Sequence, residues 1–323
     1  MKSEFRDIRT GVIGVGSMGQ NHARVLSEIS NLVGVSDVNI KQGELVASRF
    51  GVTFHESYED LIKEVDAVSI AVPTQHHKVV SKKCAESGVS VLIEKPLASN
   101  LEDAKEIVAY SKKFNNKLAV GHIERHNPVI DYAKKAIDKG DWGDIISMSS
   151  KRVSKFPERI RDVGVIFDLA IHDLDILRYL ASSDFKVIKA IGGSIEYSDK
   201  EDHVNALVHF ENGISAICEA SWLSPLKVRK LSLTCSKAYV ELDYMEQSVK
   251  VYSSSINSDD SSNLWKLETE ITEKTINLER EEPLKLELVD FLSTHQGNQN
   301  PLVDGDSGIK AVEMAEIVAG QIK

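Results

Sequence analysis

Between Ile8 and about Ile123, short runs rich in β-branched residues alternate with stretches of helical periodicity, the pattern of a parallel sheet covered by helices on both faces. Strands are predicted at Thr10 to Gly14, Leu32 to Ser36, Thr53 to Phe54, Ala67 to Val72, Val89 to Ile93 and Lys117 to Gly121. Helices are predicted between them at Met18 to Ile29, Lys41 to Phe50, Tyr58 to Glu64, His77 to Ser87 and Leu101 to Phe114, with Gly51, Gly88 and Asn100 as punctuation. The expected product is a doubly wound domain over residues 1–122, which binds ligands at the carboxyl ends of its strands.

The pattern then changes. A helix after Pro128 runs to about Lys139, a strand opens at Gly143, and a second helix is predicted from about Val165 to Ala181. Strand-like runs follow at Lys186 to Gly192, Val204 to Phe210, Ile214 to Trp222, Val228 to Cys235, Ala238 to Asp243 and Ser248 to Tyr252. Asn212-Gly213 between two alternating runs is a hairpin signal, so residues 123–323 are expected to form an α+β domain on an open antiparallel sheet. Ser253 to Asn263 is expected to be a loop, and helices at Pro283 to Ser293 and Ser307 to Ile322 close the chain.

With 323 residues the chain has room for two cores. A formal charge of -10 disfavours a general phosphate-backbone binder, so any anion site must be local. No apolar run approaches the ~20 residues of a membrane span, and the mixed-charge start leaves no room for a leader, so a cytoplasmic protein is expected. Cys84, Cys218 and Cys235 are scattered and form no CxxC pair, which disfavours disulfides and structural zinc; no metal is expected.

Gly14-Val-Gly16-Ser17-Met18-Gly19 fits GxGxxG between the first strand and a helix. The glycines allow close backbone approach, and the helix N-terminus offers free N–H groups to a pyrophosphate. Asp37 ends the second strand, where a carboxylate accepts hydrogen bonds from ribose hydroxyls and repels a 2'-phosphate; Val38 brings no compensating cation, so NAD is expected rather than NADP. Pro73, Thr74 and His77 follow the fourth strand, and Glu94-Lys95-Pro96 ends the fifth, all at the ligand edge. These could equally be helix-start and surface residues. Asp168 and His172, four apart, lie on one face of the second domain's helix, a carboxylate beside an imidazole suited to proton abstraction or to a buried hydrogen bond.

Together, the GxGxxG start, Glu94-Lys95-Pro96, Gly121 to Pro128, Asp168-x-x-x-His172 and Pro283 to Gly305 resemble the glucose-fructose oxidoreductase/inositol dehydrogenase (Gfo/Idh/MocA) family over nearly the whole chain. The resemblance implies a Rossmann domain, a second domain on a large open sheet, oligomers formed through that sheet, and catalysis by Lys95, Asp168 and His172. Gly121 to Pro128 and Arg161 to Asp168 resemble the branch oxidising nucleotide-activated amino sugars at C3. Arg161-Asp162-Val163-Gly164 stands where the inositol and free-sugar pattern has a Gly-Gly pair, and Ala170 replaces a common glycine. The expected reaction is therefore NAD-dependent oxidation of the C3 hydroxyl of a nucleotide sugar, foremost UDP-N-acetylglucosamine, by a homodimer or homotetramer. A UDP-sugar uronate, a free sugar or an inositol is the alternative substrate. A catalytically silent NAD- and sugar-binding regulatory module is the alternative outside enzymes.

Lys151, Arg152, Lys155, Arg159 and Arg161 against Glu158 give one short stretch a charge of +4. This is either a solvated or ion-paired surface or a diphosphate site, with Arg152 and Arg161 as candidate guanidinium forks. Arg125 and Asn127, beside the domain junction, complete the expected substrate contacts.

Overall fold

Six parallel strands form the first sheet: β1 (Phe5–Ile13), β2 (Ser30–Ser36), β3 (Thr53–His55), β4 (Ala67–Ile70), β5 (Ser90–Glu94) and β6 (Leu118–Gly121), in the order β3-β2-β1-β4-β5-β6. The structure is a computed structural model and describes residues 5–156, 163–196, 200–257, 268–297 and 299–322. Strands buried on both faces are rich in apolar residues on both sides, and consecutive side chains divide between two cores. Val12 and Leu92 enter one cluster while Ile13, Val91 and Ile93 enter the other. The connecting helices are α1 (Ser17–Ile29), α2 (Ile40–Phe50), α3 (Tyr58–Leu61), α4 (His77–Glu86) and α5 (Leu101–Phe114). Asn39 and Asn100 cap α2 and α5 by accepting the backbone N–H of Gln42 and Asp103.

The chain divides into two units. One comprises residues up to His126 together with Glu282–Glu316; the other comprises Asn127–Glu281 with the last residues from Ile317. This departs from a single cut after residue 122. Of the two closing helices, α8 (Pro283–Gln296) packs Leu284, Leu288, Phe291 and Leu292 into the Val12 cluster. On the other side, α9 (Gly305–Ala319) sends Val312 into the Ile13 cluster. Each such buried aliphatic or aromatic side chain contributes ~1.5–3 kcal/mol, so the first sheet gains a helix on each face.

The second unit contains α6 (Pro128–Asp138), α7 (Ile171–Ala181) and an eight-stranded sheet. Its strands are β7 (Ile145–Lys155), β8 (Phe185–Gly193), β9 (His203–Phe210), β10 (Ser215–Ser221), β11 (Leu223–Cys235), β12 (Tyr239–Asp243), β13 (Ser248–Asn257) and β14 (Glu268–Asn277). They run in the order β14-β13-β12-β11-β7-β10-β9-β8. The hairpin at Asn212-Gly213 forms as expected, with the Phe210 N–H bonded to the Ile214 carbonyl and Gly213 at φ +91°. Three details correct the sequence reading. β10 pairs with β7 in parallel, so the sheet is mixed. Ser253–Asn257 continues β13 rather than opening a loop, and it pairs with β14, a strand not expected at all. The helix expected from Val165 begins as a π-helical turn over Ile166–Ala170.

Along β8 to β10, residues on one face alternate outward. Val187, Leu207 and Ile217 remain 45%, 59% and 45% exposed, an apolar strip on that face, with exposed Ile191 further along β8. No helix among the described residues is long and apolar enough to cross a membrane.

Candidate active site

The glycine loop joins β1 to α1. Gly14 sits at φ +86°, and a methyl group on it would lie 2.8 Å from the Ala71 carbonyl and the Val72 nitrogen. The loops after β1 and β4 thus meet at the carboxyl end of the sheet. A methyl on Gly19 would lie 1.8 Å from the Gly14 carbonyl oxygen, so only glycine lets α1 start so close to the loop. A methyl on Gly16, by contrast, meets nothing within 4 Å, and Gly16 and Ser17 are exposed. The N-terminus of α1 carries no capping side chain and no acid in its first turn, and Met18 is half-buried there. Open space over Gly16 beside a helix N-terminus fits a pyrophosphate.

Asp37 folds back onto this loop. Its Oδ2 accepts the Val15 N–H at 2.7 Å and its Oδ1 accepts the Asn39 N–H at 2.8 Å, fixing a half-buried carboxylate beside the glycines. Each oxygen retains a lone pair for a ribose hydroxyl. Val38 is fully exposed and offers no charge. Asp37→Ala should therefore narrow the preference for NAD over NADP, read as the ratio of the two dissociation constants. An unchanged ratio, or NADP binding as tightly as NAD to the unmodified chain, would contradict the role given to this carboxylate.

After β4, Pro73 is exposed and precedes a 3-10 turn over Thr74–His76, with Thr74 half-buried. His77, expected at the cofactor edge, is turned inward. It is 1% exposed, with Nδ1 3.1 Å from the Pro96 carbonyl and Nε2 3.0 Å from the Val72 carbonyl. Burial pushes its pKa down. The ring therefore ties the loop after β4 to the loop after β5. Glu94 is likewise turned inward: its Oε1 lies 2.8 Å from His22 Nε2, and its Oε2 accepts the Lys95 N–H at 3.1 Å. Lys95 itself, at the carboxyl end of β5, is half-buried and precedes a cis peptide to Pro96.

In the second unit, Asp168 is buried within the π-helical turn, and His172 is half-buried in the first turn of α7. A π turn widens the helix locally and re-aims its side chains, and such turns concentrate at functional sites. Ser69, His22 and Glu287, all buried, are the residues of the site region that the sequence reading missed. Glu287 carried a signal, because it interrupts the apolar face of α8 between Leu284 and Leu288.

Three of the expected substrate contacts are buried and bonded to protein groups. Arg152 is 1% exposed and forks onto Asp173, with Nε to Oδ2 at 2.7 Å and Nη2 to Oδ1 at 3.2 Å. Arg125 is buried and donates from Nη1 to the Leu302 carbonyl at 3.3 Å. Asn127 caps α6 by accepting the Val129 N–H and donates to the Tyr244 carbonyl at 3.2 Å. Within the basic stretch, Lys151 pairs with Glu219 at 3.1 Å across the parallel strands. Arg159 and Arg161 lie outside the described residues.

Residues 8–122 match the NAD-binding Rossmann domain of the Gfo/Idh/MocA oxidoreductase family, and residues 130–241 match its C-terminal domain. The chain belongs to this family and is an NAD-binding oxidoreductase. It is 30% identical over 308 residues to UDP-N-acetylglucosamine 3-dehydrogenase of Acidithiobacillus ferrooxidans, covering 95% of each chain. A solved structure of that enzyme superposes with a TM-score of 0.88 at 29% identity, covering 98% of this chain and 97% of the other. The scyllo-inositol 2-dehydrogenase (NAD(+)) of Bacillus subtilis is 31% identical over 234 residues, 68% of each chain.

Proposed function

We propose that this protein oxidises the C3 hydroxyl of UDP-N-acetylglucosamine to the 3-keto sugar. The observation carrying this reading is the end-to-end similarity to the A. ferrooxidans enzyme, against about two thirds for the inositol enzyme. NAD, bound at the glycine loop, supplies the hydride acceptor. His172 takes the proton of the reacting hydroxyl, and Asp168 orients the imidazole and offsets its developing charge. Lys95 donates to the reacting oxygen and stabilises its negative character. With Arg152, Arg125 and Asn127 engaged internally, Arg161 is the guanidinium we assign to the substrate's diphosphate.

The test compares kcat/KM for UDP-N-acetylglucosamine, UDP-sugar uronates, free sugars and inositols. The first should lead, UDP alone should inhibit, and Arg161→Ala should raise KM roughly 10- to 100-fold while NAD affinity stays unchanged. Preference for an inositol with no inhibition by UDP would transfer the assignment to the free-polyol class. Failure of every substrate to reduce NAD would favour the regulatory module.

The exposed strip at Val187, Leu207 and Ile217 supports self-association through the open sheet as a homodimer or homotetramer. Light scattering should then give two or four times the 35.8 kDa chain mass, and Leu207→Glu should lower it. A monomer at micromolar concentration would contradict this.

A further inference from the structure

Behind Lys95, three ionisable side chains of the Rossmann unit share one buried space. His22 comes from α1, Glu94 from the end of β5 and Glu287 from α8, and their ligand atoms lie within 4.8 Å of one another. Each Glu94 oxygen has one partner and keeps a lone pair: Oε1 lies 2.8 Å from His22 Nε2, and Oε2 accepts the Lys95 N–H. The other ring nitrogen of His22, Nδ1, is 2.8 Å from Ser69 Oγ. Glu287 is 2% exposed, and neither of its carboxyl oxygens has a hydrogen-bond partner.

We propose that Glu287 is a neutral carboxylic acid in the folded protein and a positioning residue for Lys95, acting through Glu94. A bare carboxylate has no donor at this position, whereas a protonated one carries its own and can hydrogen-bond to the Glu94 carboxylate. The surrounding charges agree. Burial, then the negative charges of Glu94 and Asp290, push the Glu287 carboxyl well above its usual range. Burial alone would raise Glu94 too, but the His22 hydrogen bond and the charges of His22 and Lys95 hold it low. The turn Ile123–His126, also packed on α8, brings buried Glu124, Arg125 and His126, and at the exposed start of the helix Arg24 pairs with Glu282.

A proton suits this space better than a cation. His22 and Glu94 already spend their facing atoms on each other and on the Lys95 backbone, bonds that a metal ion would have to displace. The proton lets Glu94 keep its charge without a second buried charge beside it. Glu94 then keeps its grip on the backbone N–H of Lys95, whose side chain projects from the same residue.

The functional half of this inference rests on the role proposed for Lys95; the protonation half does not. Glu287→Gln keeps a neutral donor in place. Infrared spectra at pH 7.5 should lose one protonated-carboxyl C=O band on Glu287→Gln. A carboxyl raised in the folded state contributes stability below its usual value of 4.5, and that stability is lost as pH climbs toward the raised value. The Tm advantage of Glu287→Gln over the unmodified chain should therefore widen from pH 5 to pH 9, by about 2 °C or more. In NAD reduction, Glu287→Gln should hold kcat within about twofold, and Glu287→Ala should lose roughly 10-fold in kcat with NAD affinity unchanged. Should Glu287→Ala not fold, the glutamine variant still decides the matter. An unchanged infrared band, a Tm gap independent of pH, or a stoichiometric divalent ion lost on Glu287→Gln would overturn the protonation. Equal loss of kcat in the two variants would overturn the positioning role. A fully active Lys95→Ala variant would instead strike the assignment of Lys95 and leave the infrared and stability results standing.

Discussion

Lys95→Ala and His172→Ala should each lower the turnover of NAD reduction by ~100-fold or more, with NAD affinity changed by no more than a few fold. The two residues sit in different units, Lys95 at the carboxyl end of β5 and His172 at the start of α7. Circular dichroism of each variant checks that it folds. If Lys95 stabilises the reacting oxygen while His172 takes its proton, the losses belong to one step and the double variant should lose much less than the product of the singles. Asp168→Asn should also slow turnover and alter the pH–rate profile, because the amide cannot offset the charge that develops on the imidazole. Near-normal turnover of Lys95→Ala or His172→Ala would remove that residue from the mechanism. Steady-state rates together with NAD binding by fluorescence check both halves.

Arg152→Ala should destabilise the protein by ~3–5 kcal/mol, because it removes the guanidinium that forks onto Asp173, a carboxylate at 1% exposure. The guanidinium also lies 5.2 Å from the Tyr244 ring, and that contact disappears with it. Thermal unfolding should fall by about 10 °C. Removing both charges, as in Arg152→Met with Asp173→Leu, should recover much of the loss, since a buried ion pair is worth little against apolar packing of similar volume. The KM of the folded fraction should stay near that of the unmodified chain. A Tm within 2 °C of the unmodified chain, joined to a large rise in KM for a UDP-sugar, would return Arg152 to the diphosphate.

The legibility of this chain follows burial. β4 and β5 read directly because strands covered on both faces carry runs of apolar residues, and Leu101–Phe114 matches the expected helix to the residue, with Asn100 capping it and Asn115 ending it at φ 52°. β14 escaped because Glu268–Asn277 is a charged, polar segment at the sheet edge, where no apolar alternation marks a strand. The parallel pairing of β10 with β7 joins segments some sixty residues apart, and no local pattern encodes it. The same limit governs the site. Gly14 and Gly19 announce themselves because close backbone approach admits only glycine there, and Asp37 because it directly follows β2. Arg152 misled because a charge in sequence looks the same whether it meets solvent, a ligand or a buried Asp173 on another element. The stretch's positive excess is answered in part by Asp173 and Glu219, neither of which is near it in the chain.

The most direct measurement uses UDP-N-acetylglucosamine carrying deuterium at C3. With NAD and the purified protein, the label should appear on the reduced nicotinamide, turnover should slow relative to the unlabelled substrate, and a 3-keto sugar nucleotide should accumulate. Lys95→Ala and His172→Ala should slow the transfer by ~100-fold or more. Reduced cofactor without label, or label transfer only from an inositol deuterated at its reacting carbon, would contradict oxidation at C3 of a nucleotide sugar.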